Sequence, residues 1–225
     1  MFRDCTSLSR TPNQNPMKVI SILGSPSLRS RSGALLQLAQ ARLQPHATTT
    51  ETITVRDLPG QALLHAEFAD TDIQAAIRKV LEAQVVLVAT PIYKAAYSGL
   101  LKSFLDLLPQ DGLRDKTVLP LATGGSAAHL LALDYALKPV LSALGARDIL
   151  DAVYASDAQI PSVDGRYEVD AEIGVRVEQS LRSVIERAAQ YDAEAEAARE
   201  RDAVLARARG TPQPPWLSHR VRWAV

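Results

Sequence analysis

Residues 85–109, VVLVATPIYKAAYSGLLKSFLDLLP, decide the fold. The run Val85–Ala89 is continuous, apolar and rich in β-branched side chains, the pattern of a strand covered on both faces of a parallel sheet. A loop, Thr90–Gly99, follows it. A helix is then predicted over Leu100–Leu108, stopped by Pro109, with Asp111-Gly112 marking a turn. The same alternation recurs on either side. Val19–Leu23, Thr52–Val55, Val118–Ala122 and Ile149–Tyr154 read as strands, and Gly33–Leu43, Asp70–Glu82 and Ala127–Leu144 as helices, the last capped by Gly145. Strands alternating with helices require right-handed βαβ crossovers. The expected architecture is α/β and flavodoxin-like, a five-stranded parallel sheet in the order 2-1-3-4-5 with helices on both faces.

Composition narrows the function. Lys+Arg and Asp+Glu are equal at 25 each, which argues against a broad nucleic-acid or anionic-membrane surface and against an acidic electron carrier. Cys5 is the single cysteine, so no disulfide framework forms within the chain, and the four histidines show no ligand spacing. No run reaches the roughly 18 apolar residues of a membrane span. Residues 1–16 lack the apolar core of a signal peptide and are expected to be a disordered extension. The folded domain is expected over 17–190, with the cytoplasm as its compartment. Beyond it, 191–225 reads as a charged, Ala-rich helix followed by a Pro-interrupted tail carrying Trp216 and Trp223.

In an open parallel sheet, ligands bind beyond the carboxyl ends of the strands. Three loops fall there. Gly24–Gly33 offers Ser25, Ser27, Arg29, Ser30, Arg31 and Ser32 before a helix N-terminus, a composition suited to a phosphate monoester. A polar surface loop with a serine N-cap would look the same. The loop is neither GxGxxG nor a Walker A sequence, which disfavours a dinucleotide fold and a P-loop NTPase. Thr90–Gly99 offers Pro91, Ile92, Tyr93, Lys94 and Tyr97, a rigid half-apolar wall for a planar ring or a cover over the sheet end. In Thr123-Gly124-Gly125-Ser126 the paired glycines permit positive φ and close backbone approach, or a tight turn. GxSxG and an activated cysteine are both absent, and paired carboxylates are not visible in these loops, so nucleophilic hydrolysis is poorly supported. A cofactor that carries its own chemistry needs none of these groups.

The segments VISILGSPSLRSRSGALL, VATPIYKAAYSGLLKSFLDLLP and VLPLATGGSAAHLLALDYALKPVLSALGA resemble the NADPH-dependent FMN reductase family, above all its subgroup serving two-component alkanesulfonate monooxygenases. The resemblance covers residues 17 to 190. It implies that FMN and NADPH bind, and that hydride passes from nicotinamide C4 to flavin N5. It also implies that reduced FMN goes to an FMN-dependent monooxygenase that cleaves a sulfonate for sulfur acquisition. By the same resemblance Ser25, Ser30, Arg31 and Ser32 hold the FMN phosphate, with Arg29 substituting for an arginine that Ser27 replaces. Pro91, Ile92, Tyr93 and Lys94 run beside the isoalloxazine ring, Lys94 stabilising charge on it, and Thr123, Gly124 and Gly125 approach its polar edge. Tyr135 is placed in a π-bulge at the interface of a homodimer or homotetramer. Pro139 supports a disturbed helix there independently, by removing a helical N–H. A quinone or azo reductase with permanently bound FMN, a flavodoxin-type carrier and a nucleotide-binding module share the expected fold.

Overall fold

The computed structural model describes residues 17–210; the expected N-terminal extension and the tail with Trp216 and Trp223 lie outside them. The main sheet contains β1 (Lys18–Leu23), β2 (Thr49–Thr54), β3 (Val85–Tyr93), β4 (Ala96–Tyr97), β5 (Thr117–Gly124), β6 (Asp148–Ile149) and β7 (Val153–Ser156). Its order is β2-β1-β3-β5, all parallel, with β6 and β7 pairing successively along β5 and β4 folding back antiparallel on β3. This is the flavodoxin-like order, with seven strands where five were expected. The extra two arise because β4 is a hairpin return and the last edge strand is split.

The split has a register cause. Val118 faces Ile149 while Leu121 faces Val153, so three steps along β5 are matched by four along the edge. The surplus residue is a bulge, a common device at a sheet edge. The continuous strand expected over Ile149–Tyr154 is therefore two short ones.

Around the sheet pack α1 (Arg31–Leu43), α2 (Gly60–His65), α3 (Thr71–Glu82), α4 (Gly99–Leu105), α5 (Lys138–Ala143) and the part of α6 (Ala171–Gly210) up to Ala188. Alternate strand residues enter opposite cores. Val86 and Val88 join Ile73, Ile77 and Phe104 on one face, whereas Val85, Leu87 and Ala89 join Leu35, Leu36 and Val177 on the other. Both faces are covered, which is why β3 is apolar without alternation. Among the described residues, those up to Ala188 form one compact unit, and those from Ala189 form a second that is Ala-rich and charged, with Val204 and Leu205 exposed.

Two expected helices end or break earlier than expected. The helix expected over Leu100–Leu108 ends at Leu105, because Pro109 disfavours helical backbone at Leu108. The one expected over Ala127–Leu144 breaks into a 3₁₀ turn (Ala127–Leu130), a π turn (Leu133–Leu137) and α5, capped by Gly145 at φ +88°. Pro139 cannot extend the ladder, and the Lys138 N–H reaches back five residues to the Leu133 carbonyl.

Lys116 closes the lower end of α3. It is 8% exposed and donates from Nζ to the Leu81 and Ala83 carbonyls at 2.8 and 2.6 Å. Burial pushes its ammonium below the ordinary lysine value of 10.5, while the Asp115 charge pulls the other way. The unfolded chain then keeps this proton to higher pH than the folded one. The group's contribution to stability therefore rises as pH climbs from the folded pKa toward the unfolded one. The melting temperature of the wild type should gain on that of Lys116→Met as the pH rises toward 10.5; a constant gap would show that no such linkage exists.

Candidate active site

The β1–α1 loop is fixed before it reaches any ligand. The Gly24 N–H donates to the Ala89 carbonyl at 2.8 Å, and the Gly24 carbonyl accepts from the buried Ser98 hydroxyl. Ser98 Oγ also accepts from the Leu101 N–H at 3.1 Å as the N-cap of α4, and the Ser98 N–H donates to Thr90 Oγ1 at 3.0 Å. One buried hydroxyl thus ties the end of β1 to the loop after β3. Ser25, 1% exposed, accepts from the Ser27 N–H at 3.3 Å, and Ser30 caps α1 by accepting from the Gly33 N–H at 3.0 Å. The helix expected from Gly33 accordingly begins at Arg31.

The loop after β3 is largely strand. Ile92 and Tyr93 pair with Tyr97 and Ala96, and Lys94 and Ala95 form the turn with φ of +49° and +62°. A two-residue turn of type I′ needs left-handed backbone at both positions, here supplied without glycine at about 1 kcal/mol or more each. Burial, then the Asp106 charge, raises the Tyr97 phenol above its ordinary pKa.

The loop after β5 is shaped by space rather than by backbone hand. Neither Gly124 nor Gly125 has a positive φ, contrary to one expectation for the pair. A Cβ on Gly124 would lie 2.7 Å from Tyr154 Oη, 3.3 Å from His129 Nδ1 and 3.4 Å from Ile92 Cβ. Tyr154 Oη donates to the Ser126 carbonyl at 2.6 Å, and His129 Nδ1 is buried without a hydrogen-bond partner. Burial, helped by the Asp157 charge, raises the Tyr154 phenol above its ordinary pKa, against the lowering effect of its hydrogen bond to the Ser126 backbone.

These strand ends border a cleft of about 320 Å³. Ser27, Arg29, Ser30, Arg31 and Ser32 line it from the first loop, and Pro91, Ile92, Tyr93, Thr123, Gly124 and Gly125 from the other two. Ser25 lies under the loop and Lys94 in the hairpin turn, and neither is among the lining residues. Tyr135 stands on the π turn, 80% exposed. Two further lining residues, Asp157 and Tyr167, come from the segment after β7. That segment includes a hairpin, β8 (Ser162–Val163) and β9 (Arg166–Tyr167), turning at Asp164-Gly165. An Asp-Gly pair is a strong hairpin signal and could have located it.

The residues fit FMN. Serine hydroxyls and arginines at the head of a 13-residue helix suit a phosphate, and Ile92 with the Tyr93 face suits a flat ring. At Gly125 a Cβ would meet nothing within 4 Å, so the cleft has room beside the Thr123–Gly125 backbone. No group of three or more His, Cys, Asp or Glu side chains able to hold a metal ion occurs among the described residues. No described helix is long and apolar enough to cross a membrane.

A cleft of this kind at the strand ends of such a sheet defines a flavodoxin-like, mononucleotide-binding protein. The chain belongs to the NADPH-dependent FMN reductase family, whose model matches residues 17–160. Membership makes it a flavin-dependent oxidoreductase working with FMN and NAD(P)H. It is 52% identical over 149 residues to an FMN reductase (NADPH) of Pseudomonas putida, covering 66% of this chain and 76% of that one. A protein of the same description from Escherichia coli is 44% identical over 165 residues, covering 73% and 86%. Among solved structures, the apo form of an NADH:FMN oxidoreductase (EMOB) matches with TM-score 0.68 at 38% identity, over 74% of this chain and 87% of that one.

Proposed function

We propose that this protein reduces FMN as an exchangeable substrate and passes the reduced flavin to an FMN-dependent monooxygenase, one that desulfonates alkanesulfonates for sulfur acquisition. The cleft carries this reading. Its ring wall is half open, with Tyr93 51% exposed, which suits a flavin that meets a nicotinamide and then leaves. The likeness of the three quoted segments to the sulfonate-system subgroup supports the choice of partner.

FMN held by the serine–arginine loop, Ile92–Tyr93 and Thr123–Gly125 would supply hydride-accepting chemistry at flavin N5, with nicotinamide C4 as the donor. The chain supplies position and charge. Ser30, by capping α1, sets the direction in which Arg31 and Ser32 leave the helix. The Lys94-Ala95 turn closes the hairpin that carries Tyr93, and the Thr123–Gly125 segment lines the same cleft. Hydride transfer requires no side chain as acid or base. Self-association belongs to the same reading. Tyr135 on the π turn stands near exposed Leu130 and Leu131, a patch suited to a second copy in a homodimer or homotetramer.

NADPH oxidation by the purified protein should be slow alone and should saturate with added FMN. A rate indifferent to FMN but dependent on a quinone would replace this reading with a bound-flavin quinone reductase. Light scattering on the same sample, if it gave monomers with and without FMN, would remove the assembly.

A further inference from the structure

The Arg31 guanidinium is held from three directions by the segment after β7. Its Nε donates to the Ile160 carbonyl at 2.9 Å, its Cζ lies 5.0 Å from the centroid of the Tyr167 ring, and its Nη1 stands 3.6 Å from Asp157 Oδ2. Arg31, Tyr167 and Asp157 all line the cleft. A phosphate dianion entering the serine–arginine loop therefore meets a cation already shared with a carboxylate, and that carboxylate faces the same space. We propose that Asp157 determines how loosely the flavin phosphate is held, by competing for Arg31 and repelling the dianion. The inference rests on the reading of the β1–α1 loop as the phosphate site.

The geometry separates this effect from simple support of the arginine. The Ile160 carbonyl and the Tyr167 ring hold the guanidinium whether or not residue 157 is charged. Asp157→Asn removes the charge and keeps the shape. The Asp157 side chain is 48% exposed, so the substitution leaves the fold intact, which a thermal melt checks. A reductase that must release its flavin gains from such a counter-charge, because it weakens the phosphate contact without altering the ring wall.

The test is binding of FMN and of riboflavin, which lacks the phosphate, to the wild type and Asp157→Asn. Flavin fluorescence gives Kd, and stopped flow gives the FMN release rate. In Asp157→Asn the Kd for FMN should fall about fivefold, the size of one partly exposed charge interaction, with slower release and riboflavin unchanged. An FMN Kd that stays constant or rises, or a riboflavin Kd that falls equally, overturns the role of Asp157. If the wild type already binds riboflavin as tightly as FMN, the phosphate-loop reading fails and this inference fails with it. A wild-type preference for FMN that Asp157→Asn leaves untouched removes this inference alone.

Discussion

Gly24→Ala should lower the stability of the domain by about 2–3 kcal/mol, seen as a melting temperature about 5–10 °C below that of the wild type. The added Cβ would lie 2.5 Å from Leu101 Cβ and 3.2 Å from Leu101 Cγ and Cδ1. The first of these atoms is rigidly attached to the α4 backbone, so no rotamer of Leu101 relieves the contact. Nor can α4 move away cheaply. Ser98 at its N-cap is bonded to the Gly24 carbonyl and to Thr90, and Leu101 is fully buried. The strand end is equally fixed by the Gly24 N–H bond to Ala89. Gly99→Ala in the same helix is the control. Nothing lies within 4 Å of its Cβ position, and alanine favours the helix, so that variant should melt at or slightly above the wild type. Equal melting temperatures for Gly24→Ala and Gly99→Ala would show that β1 and α4 are not in the close contact described.

Gly24 also shows what kind of information the sequence carried. The strands β1, β3 and β5 were legible because burial on both faces demands continuous apolar runs; the alternation with helices gave the fold class, and the order was inferred from that class. The helix stop at Gly145 was legible because left-handed backbone there favours glycine. The serine and arginine content of the first loop was equally plain. Features set by tertiary contact were not. Nothing in the letters of Lys94-Ala95 announces a hairpin, since neither residue prefers the left-handed backbone that the turn imposes. The bulge between β6 and β7 depends on register against β5, which no single strand encodes. Asp157 and Tyr167 line the cleft because a segment distant in sequence folds back over Arg31. The reason for Gly124 is likewise a neighbour, Tyr154, thirty positions away in the chain.

That neighbour makes Gly124→Ala the most damaging small substitution expected for activity. Its Cβ would stand 2.7 Å from Tyr154 Oη, closer than real Cβ contacts come, and would also press on His129 Nδ1 and Ile92 Cβ. Tyr154 is 5% exposed, so its hydroxyl yields only by leaving the Ser126 carbonyl. Losing that bond would leave the Tyr154 hydroxyl without its acceptor, at about 1–3 kcal/mol, while the Ser126 carbonyl keeps its bond from the His129 N–H. The displacement would fall on Thr123–Ser126 and on Ile92, and Ile92 and Thr123–Gly125 line the cleft proposed to hold the flavin ring. A shift of about 1 Å at such a site costs on the order of a hundredfold in rate, so kcat/KM for FMN should drop by about that factor. Tyr154→Phe alone removes the hydroxyl and its bond, and should weaken FMN reduction about tenfold or less. Combined with Gly124→Ala, however, it clears the atom in the way. The double variant should recover most of the loss, the non-additivity expected of two groups in direct contact. A double variant no better than Gly124→Ala would place the requirement for glycine elsewhere, in the approach of ligand to the backbone rather than in the packing of Tyr154.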